Sequence, residues 1–244
     1  MQAHSIVIDN LHKKFGRQIV LKDVSLSIAA GEYVGLIGIN GAGKTTLIKC
    51  LLDFCAIDAG TVRIFGIDHR QTAARAQLTY LPEKFVPPYY LTGENFLKYM
   101  ADLHGVVYDV VVVTGILQAL DLDLSALTKP VRQYSKGMGQ KLGLAACLLS
   151  NKALMVFDEP MSGLDPRARA LLKRHLLELK QQGKTLFYSS HLLEDVVVLC
   201  DRVIILHDDT ICFSGTTREC CDKYHADNFE SAYLKCVGGR QKSK

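Results

Sequence analysis

The chain has 244 residues, 48% of them hydrophobic, and its 29 Lys and Arg residues against 25 Asp and Glu residues give a net charge of +4. This length fits one large domain, or a domain with an inserted lobe, and so small a positive charge gives no indication of a nucleic-acid partner. The charged N-terminus argues against a signal peptide, and the lack of an apolar run of about 18 residues argues against a membrane span. The eight scattered cysteines include no C-x-x-C pair, which indicates buried, reduced thiols in the cytosol.

The N-terminal part of the chain predicts strands on both sides of a glycine-rich turn. The segments SIVIDNL and VSLSI alternate apolar and polar residues, as half-buried strands do. The segment YVGLIG is apolar throughout, as expected of a fully buried parallel strand. TVRIFG and LTYLPE follow as short strand candidates.

The middle of the chain, from Thr92 to about Ser150, predicts helices. TGENFLKYMADLHG offers a Thr N-cap, an acid in the first turn and a Gly at its end. The β-branched run at the start of DVVVVTGILQALDL favours a strand. Its later half and its place between helices favour a helix, which we predict.

The last part of the chain returns to alternating strands and helices. ALMVFDE, KTLFYSS and DRVIILHD predict strands, while PRARALLKRHLLELKQQG and LLEDVVVLC predict the helices between them. This alternation predicts an α/β fold with a mostly parallel sheet. We expect a domain over residues 1–230 with an inserted helical lobe at about 88–150, followed by a disordered basic tail at 231–244.

The glycine-rich turn GINGAGKTT, from Gly38 to Thr46, has the spacing of a phosphate-binding loop. Glycines let the backbone approach an anion closely, and converging N–H groups and the following helix N-terminus attract negative charge. Lys44 is expected to reach the β- and γ-phosphates of a nucleotide, Thr45 to bind Mg²⁺, and Thr46 to contact a phosphate further back. The alternative is an ordinary strand-to-helix turn, but the flanking strand and helix favour a nucleotide site.

Two acids, Asp158 and Glu159, follow the buried strand LMVF, at the end of the sheet where α/β proteins bind ligands. Asp158 suits a second Mg²⁺ contact, and Glu159 suits a base that accepts a proton from an attacking water. Such a pair also occurs as a plain helix cap. Its position downstream of a phosphate loop favours the catalytic interpretation.

Three further stretches carry candidate site residues. Ser135 and Gly137, in QYSKGMGQKLGLA, start a helix whose N-terminus is either a second anion site or a helix start alone. SGLDP, residues 162–166, predicts a turn and a helix start. His191, in YSSHLLED, ends a strand, and a lone histidine is more often structural than catalytic.

Together, and in this order, these motifs resemble the nucleotide-binding subunit of ABC transporters over roughly residues 4–225. GINGAGKTT is similar to the family's Walker A motif, LMVFDE to Walker B, SGLD to the D-loop and His191 to the switch histidine. YSKGM resembles the signature LSGGQ, with Ser135 and Gly137 retained and the other three positions different.

The resemblance implies an ATPase with an α/β P-loop NTPase core, a mostly parallel sheet, an N-terminal antiparallel β region and an inserted helical lobe. Glu159, His191 and Lys44 would be catalytic, and Thr45, Asp158 and Glu83 would hold Mg²⁺. The implied ATP-binding residues are Phe15, Gly38, Asn40, Gly41, Ala42, Gly43, Lys44, Thr45, Thr46, Glu83, Ser135, Gly137 and Asp165. Among them, Ser135 and Gly137 of one subunit would complete the site on Lys44 of another in a head-to-tail dimer. Without the resemblance, Phe15 is equally well a core aromatic.

Glu83, in YLPEKF, stands where the family usually has a glutamine. This glutamate and the YSKGM sequence are similar to the corresponding motifs in subunits of the ABC-2 export type. The resemblance therefore implies a subunit that hydrolyses ATP to power an exporter from the cytoplasmic face of the membrane, with an integral-membrane partner and no nucleic acid. The alternative is a soluble ABC-type ATPase acting on DNA or ribosomes. The sequence shows no coiled coils, zinc modules or second such domain, which counts against this alternative.

The segment KFVPPYYLTGENF, after Glu83, is expected to form a stiff surface loop, because its two prolines fit neither helix nor sheet. The resemblance places the contact with a membrane subunit here, and exposed Phe85, Val86, Tyr89 and Tyr90 would suit it. The alternative is a loop folded back on its own core.

Overall fold

The structure is a computed structural model that describes residues 3–238. Within that range the strands are β1 (His4–Phe15), β2 (Gln18–Ala29), β3 (Tyr33–Ile37), β4 (Ala59–Ile64), β5 (Ile67–Asp68), β6 (Leu78–Leu81), β7 (Leu154–Asp158), β8 (Thr185–Ser190), β9 (Arg202–His207) and β10 (Thr210–Gly215). The helices are α1 (Lys44–Leu51), α2 (Gly93–His104), α3 (Val110–Ala119), α4 (Lys136–Leu149), α5 (Pro166–Gln181), α6 (Leu193–Leu199), α7 (Thr217–Tyr224) and α8 (Phe229–Gly238). Short 3-10 turns lie at Thr72–Arg75, Leu124–Thr128 and Val131–Gln133.

These strands form two sheets. The first has the order β2-β1-β4-β5 and is antiparallel, and the second has the order β10-β9-β3-β8-β7-β6. In the second sheet, the strands from β9 to β6 run parallel, and β10 adds an antiparallel edge. The predicted α/β class, the mostly parallel sheet and the N-terminal antiparallel region are therefore confirmed.

The six-stranded sheet separates two hydrophobic cores. On β3, Tyr33 and Ile37 face the core shared with helices α2 to α6, whereas Val34 and Leu36 face the core shared with α1 and the antiparallel sheet. All five residues of β3 are buried, which explains the continuous apolar run. The strand that leads into the glycine-rich loop is thus held on both faces.

The helices α2, α3 and α4 follow one another between β6 and β7, where the sequence predicts an inserted lobe. Helix α2 has the predicted ends, with Thr92 accepting a hydrogen bond from the Asn95 N–H and Gly105 in a left-handed conformation. The β-branched segment forms helix α3, as predicted, because Asp109 caps it and one apolar face, including Val113 and Leu117, is buried.

The C-terminal part departs from the sequence prediction. Strand β10 and helices α7 and α8 were not predicted, and the expected boundary at residue 230 falls inside α8. Residues 231–238 of the expected disordered tail are helical here, because Ala232 and Cys236 lie four residues apart and are buried on one helix face. Residues 239–244 of that tail lie outside the described residues.

None of the helices between residues 3 and 238 is long and apolar enough to cross a membrane. All eight cysteines are free thiols, and Cys50, Cys147, Cys220 and Cys236 are buried. Burial raises the pKa of the Cys147 thiol to about 12, so this group behaves as a small apolar side chain.

Candidate functional site

A cleft of about 340 Å³ opens at the C-terminal ends of β3, β7 and β8. Its walls come from the glycine-rich loop, from the end of β7 and from the residue after β8. The lining residues are Val20, Asn40, Gly41, Gly43, Lys44, Thr45, Thr46, Glu83, Glu159, Ser162 and His191. The crossover from β3 through α1 and the register of β3, β8 and β7 bring these segments to one edge of the sheet.

The loop from Gly38 to Gly43 needs glycine for steric reasons. Gly41 and Gly43 have φ values of 86° and 103°, which side chains rarely adopt. A Cβ on Gly38 would lie 2.5 Å from the Leu206 carbonyl oxygen. Gly43 is the N-cap of α1 and supplies no side-chain cap, so the first N–H groups of that helix remain available to an anion.

Lys44 is buried at the base of the cleft, with 6% of its surface exposed. Its ammonium donates a hydrogen bond of 2.7 Å to the Gly38 carbonyl and lies 3.5 Å from Glu159 Oε1. A buried cation with only one close carboxylate oxygen provides a positive centre for a phosphate group.

Glu159 turns back into the cleft immediately after β7, with φ of 51°. Its Oε2 hydrogen-bonds His191 Nδ1 at 2.7 Å, while the buried Oε1 has no hydrogen-bond partner among residues 3–238. His191 is half exposed at the cleft rim. The structure thus brings Lys44, Glu159 and His191, the predicted catalytic residues, into contact.

Asp158 is fully buried and accepts a hydrogen bond from the Ser189 hydroxyl through Oδ1. Its Oδ2 is buried and has no hydrogen-bond partner in the described part of the chain. A buried carboxylate oxygen without a partner is costly unless a cation or a donor satisfies it. This oxygen therefore fits a bound metal ion.

A second cavity of about 290 Å³ adjoins the cleft and is lined by Thr45, Lys49, Tyr80, Pro82, Glu83, Lys84 and Asp158. It contains the three predicted metal-binding residues, whose hydroxyl and carboxylate oxygens are ligands that Mg²⁺ prefers. Burial and the nearby Asp158 and Glu83 carboxylates raise the pKa of Tyr80 to about 12. The residues present fit a divalent cation.

Other predicted site residues lie outside this cleft. Phe15 ends β1 with 53% of its surface exposed, and Lys13 Nζ lies 4.9 Å from the centre of its ring. It does not line the cleft, but Val20 of the same hairpin does. Ala42 is buried in the loop.

Ser135 and Gly137 lie at the start of α4 and do not line the cleft of their own chain. Ser135 caps this helix by accepting a hydrogen bond from the Met138 N–H. Gly137 packs so closely on the loop after β7 that a Cβ would lie 2.9 Å from the Gly163 carbonyl oxygen. Asp165 caps α5, and its carboxylate lies 3.7 Å from Lys141 Nζ.

The predicted site residues did not include Val20, Ser162 or Ser189. Val20 and Ser162 line the cleft, and Ser189 contacts both Asp158 and Glu159. Ser162 belongs to the segment similar to the D-loop, which gave a signal for it. Val20 and Ser189 reach the site only through strand pairing, which the local sequence does not encode.

The loop after Glu83 is partly different from the prediction. Val86, Tyr89 and Tyr90 are exposed, as expected. Phe85 instead turns inward and packs edge-on against Phe96, with ring centroids 5.8 Å apart. Gly143 leaves room for this ring, because a Cβ there would lie 2.7 Å from it.

The fold and the glycine-rich cleft define a P-loop nucleotide-binding protein. Residues 21–162 match the family model described as ABC transporter. The chain is similar to an uncharacterised ABC transporter ATP-binding protein of Synechocystis, with 39% identity over 82% of this chain and 57% of the relative. It is also 33% identical to the Nod factor export ATP-binding protein I of Paraburkholderia xenovorans, over 85% of this chain and 69% of the relative.

A solved structure described as the ATP-binding subunit of an ABC transporter superposes with a TM-score of 0.87 at 29% identity, covering 95% of this chain and 98% of that one. The chain therefore belongs to the ABC transporter family, whose ATPases bind ATP, and the predicted resemblance is confirmed. The chain spans little more than half the length of the Synechocystis relative.

Proposed function

We propose that this chain is the ATP-binding and ATP-hydrolysing subunit of an ABC transporter of the export type. The observation that carries the proposal is the placement of Glu159 between Lys44 and His191 at the glycine-rich loop. A base, a cation and a donor at one phosphate-sized cleft are the groups that phosphoryl transfer to water requires.

Different residues of the chain carry out different parts of this reaction. The loop N–H groups and Lys44 bind the β- and γ-phosphates and stabilise their charge. Glu159 accepts the proton of the attacking water on Oε1, the oxygen that has no hydrogen-bond partner in the described part of the chain. His191 holds Oε2, orients the carboxylate and contacts the γ-phosphate from the cleft rim.

Thr45 and Asp158 would hold Mg²⁺, with Glu83 beside them in the same cavity. The bound ion supplies neutralisation of phosphate charge. Phe15 is proposed to stack on adenine, since it is exposed on the hairpin whose Val20 lines the cleft.

We propose that two copies form a head-to-tail dimer. Ser135 and Gly137 do not line the cleft of their own chain, so we infer that they contribute to ATP binding when a second subunit brings its cleft to them. Asp165 caps the helix that follows the loop on which Gly137 packs. The Ser135 side chain caps the α4 N-terminus through the Met138 N–H, and the partial positive charge of this helix end suits a second anion site.

Two observations support the proposals of export and of a membrane partner: the names of relatives and the exposed loop after Glu83. Among the relatives, the Nod factor protein is named for export. The exposed Val86, Tyr89 and Tyr90 offer a surface to an integral-membrane subunit, which would place the chain on the cytoplasmic face of the membrane. Action on DNA or ribosomes has no comparable support.

Phosphate release by the purified chain tests the proposal. The wild type is expected to hydrolyse ATP, and Glu159→Gln is expected to bind ATP but turn over about 10²–10³-fold more slowly, since it loses one preorganised catalytic group. Lys44→Ala is expected to lose binding and turnover together. Glu178→Gln, an exposed carboxylate on α5, is the matched control and should keep the wild-type rate. Wild-type turnover by Glu159→Gln would contradict the assigned base.

A further inference from the structure

Ser189 is buried without measurable exposure in the centre of the six-stranded sheet. It lies near the end of β8, paired in register with Leu36 on one side and with Asp158 on the other. This register places its side chain beside both acids at the end of β7.

The Ser189 hydroxyl has one proton, and its direction is fixed by its neighbours. It accepts a hydrogen bond of 3.0 Å from the Glu159 N–H, which can only donate, and donates its proton to Asp158 Oδ1. The two oxygens of Asp158 therefore differ, because Oδ1 accepts this hydrogen bond and the buried Oδ2 has no hydrogen-bond partner within the described residues.

The same serine holds the backbone of Glu159. The Glu159 N–H lies 3.0 Å from the Ser189 hydroxyl and 3.3 Å from the Ser189 carbonyl oxygen. This residue has φ of 51°, a conformation that costs energy for a side chain other than glycine and that its surroundings must maintain. The contacts turn the Glu159 carboxylate towards Lys44 and His191.

We propose that Ser189 is a positioning residue that directs Asp158 Oδ2 to the divalent cation and fixes Glu159 for the attack of water. This inference rests on the proposed ATPase function. The Ser189 hydroxyl donates to Asp158 Oδ1 and accepts from the Glu159 N–H. One side chain therefore fixes the orientation of both the metal-binding and the water-activating carboxylates.

The adjacent Ser190 provides a matched comparison. It is also buried, and its hydroxyl accepts a hydrogen bond from the Leu192 N–H. Among residues 3–238 it makes no hydrogen bond to Asp158 or Glu159. Loss of any buried serine hydroxyl perturbs stability. Within nucleotide binding, loss of the proposed role perturbs the metal-dependent part and leaves the metal-independent part unchanged.

The test measures binding of a fluorescent ATP analogue in Mg²⁺ and in EDTA, for wild type, Ser189→Ala, Ser189→Thr and Ser190→Ala. The affinity gained on adding Mg²⁺ is expected to fall about 10- to 100-fold in Ser189→Ala, the range typical when a group that orients a metal ligand is removed. The affinity in EDTA should stay at the wild-type value. Ser189→Thr, which keeps the hydroxyl, should recover most of the gain, and Ser190→Ala should keep it.

An unchanged Mg²⁺-dependent gain in folded Ser189→Ala would overturn the proposal, as would the absence of such a gain in the wild type. If Ser189→Ala does not fold, Ser189→Cys supplies a side chain of similar size with a weaker donor, and a wild-type gain in that variant would overturn the proposal equally. Failure of the wild type to hydrolyse ATP would reject the proposed function instead, because the binding measurement does not depend on turnover.

Discussion

Glu83 lines both the phosphate cleft and the adjoining metal cavity. Its carboxylate is exposed, so it brings a negative charge to the site without the cost of burial. Asp158 and Glu159 already provide two carboxylates there. A third is tolerable when a divalent cation and Lys44 offset the charge. We therefore propose that Glu83 contributes to the electrostatics of the metal site.

Glu83→Gln removes this charge while keeping the shape of the side chain. The Mg²⁺ concentration that gives half-maximal ATP turnover is expected to rise about fivefold, since one screened charge contributes about 1 kcal/mol. A Mg²⁺ titration of phosphate release measures it. Glu94→Gln, an exposed acid paired with Lys98 on α2, is the control. An unshifted titration would place Glu83 outside the metal site.

At the scale of elements, the loop between β6 and α2 has two parts, one packed on the helical lobe and one exposed. Phe85 anchors it to the helical lobe through Phe96. Tyr89 and Tyr90 stack edge-on against each other, with centroids 5.6 Å apart, and remain exposed. The Tyr89 carbonyl accepts a hydrogen bond from the Arg132 N–H, so the exposed end is also held to the lobe.

Changing Tyr89 and Tyr90 together to Ser is expected to weaken binding to the proposed membrane subunit and leave ATP turnover of the isolated chain near the wild-type rate. The reason is that their rings contact each other at the surface and not the core. Co-purification with the membrane subunit, beside a phosphate-release assay, measures both effects. Tyr99→Ser, an exposed tyrosine on α2, is the control. Full partner binding by the double variant would show that this surface is not the contact.

The N-terminus of α5 has a pH-dependent cap. The hydrogen bond from the Ala168 N–H holds the pKa of Asp165 below its usual range, with a smaller contribution from Lys141. Because the folded pKa is the lower one, the cap stabilises the fold above the unfolded pKa of about 3.9 and is lost as the pH falls through the folded value.

Asp165→Ala is therefore expected to lower the Tm near neutral pH, and the difference from wild type should shrink as the pH is brought to about 4 and below. Asp165→Asn, which retains a capping oxygen, should lose less stability at neutral pH. Melting followed by circular dichroism across this range measures both. A Tm difference that does not change with pH would show that the ionised cap does not act this way.

For the whole molecule, the sequence predicted those parts whose signals are local. The glycine spacing around Lys44, the buried strand before Asp158 and the capped helix α2 were each readable within about a dozen residues. The hairpin between β9 and β10 was missed because its turn uses Asp208 and Asp209, both with positive φ, in place of glycine. Helix α8 was missed because small residues, such as Ala232, form much of its buried face.

Contacts that depend on the order of the strands in the sheet could not be predicted from the local sequence. Ser189 meets Asp158 across 31 positions of the chain, through the pairing of β7 with β8. Phe85 turns inward because Gly143 of α4 leaves space for it, a contact that its own prolines and neighbouring aromatics do not indicate. The site motifs were thus predictable, while the residues that position them were not.

The proposed assembly joins the cleft of one copy to Ser135 and Gly137 of another, so ATP should act as the link between them. Light scattering of Glu159→Gln with and without ATP tests this most directly, because slow turnover keeps ATP in place. The mass is expected to rise from that of the 27.0 kDa chain to twice that value on adding ATP, and Ser135→Arg in the same background should prevent the rise without loss of ATP binding. A chain that binds ATP, as measured with a fluorescent analogue, yet remains monomeric at high protein concentration would contradict the shared site.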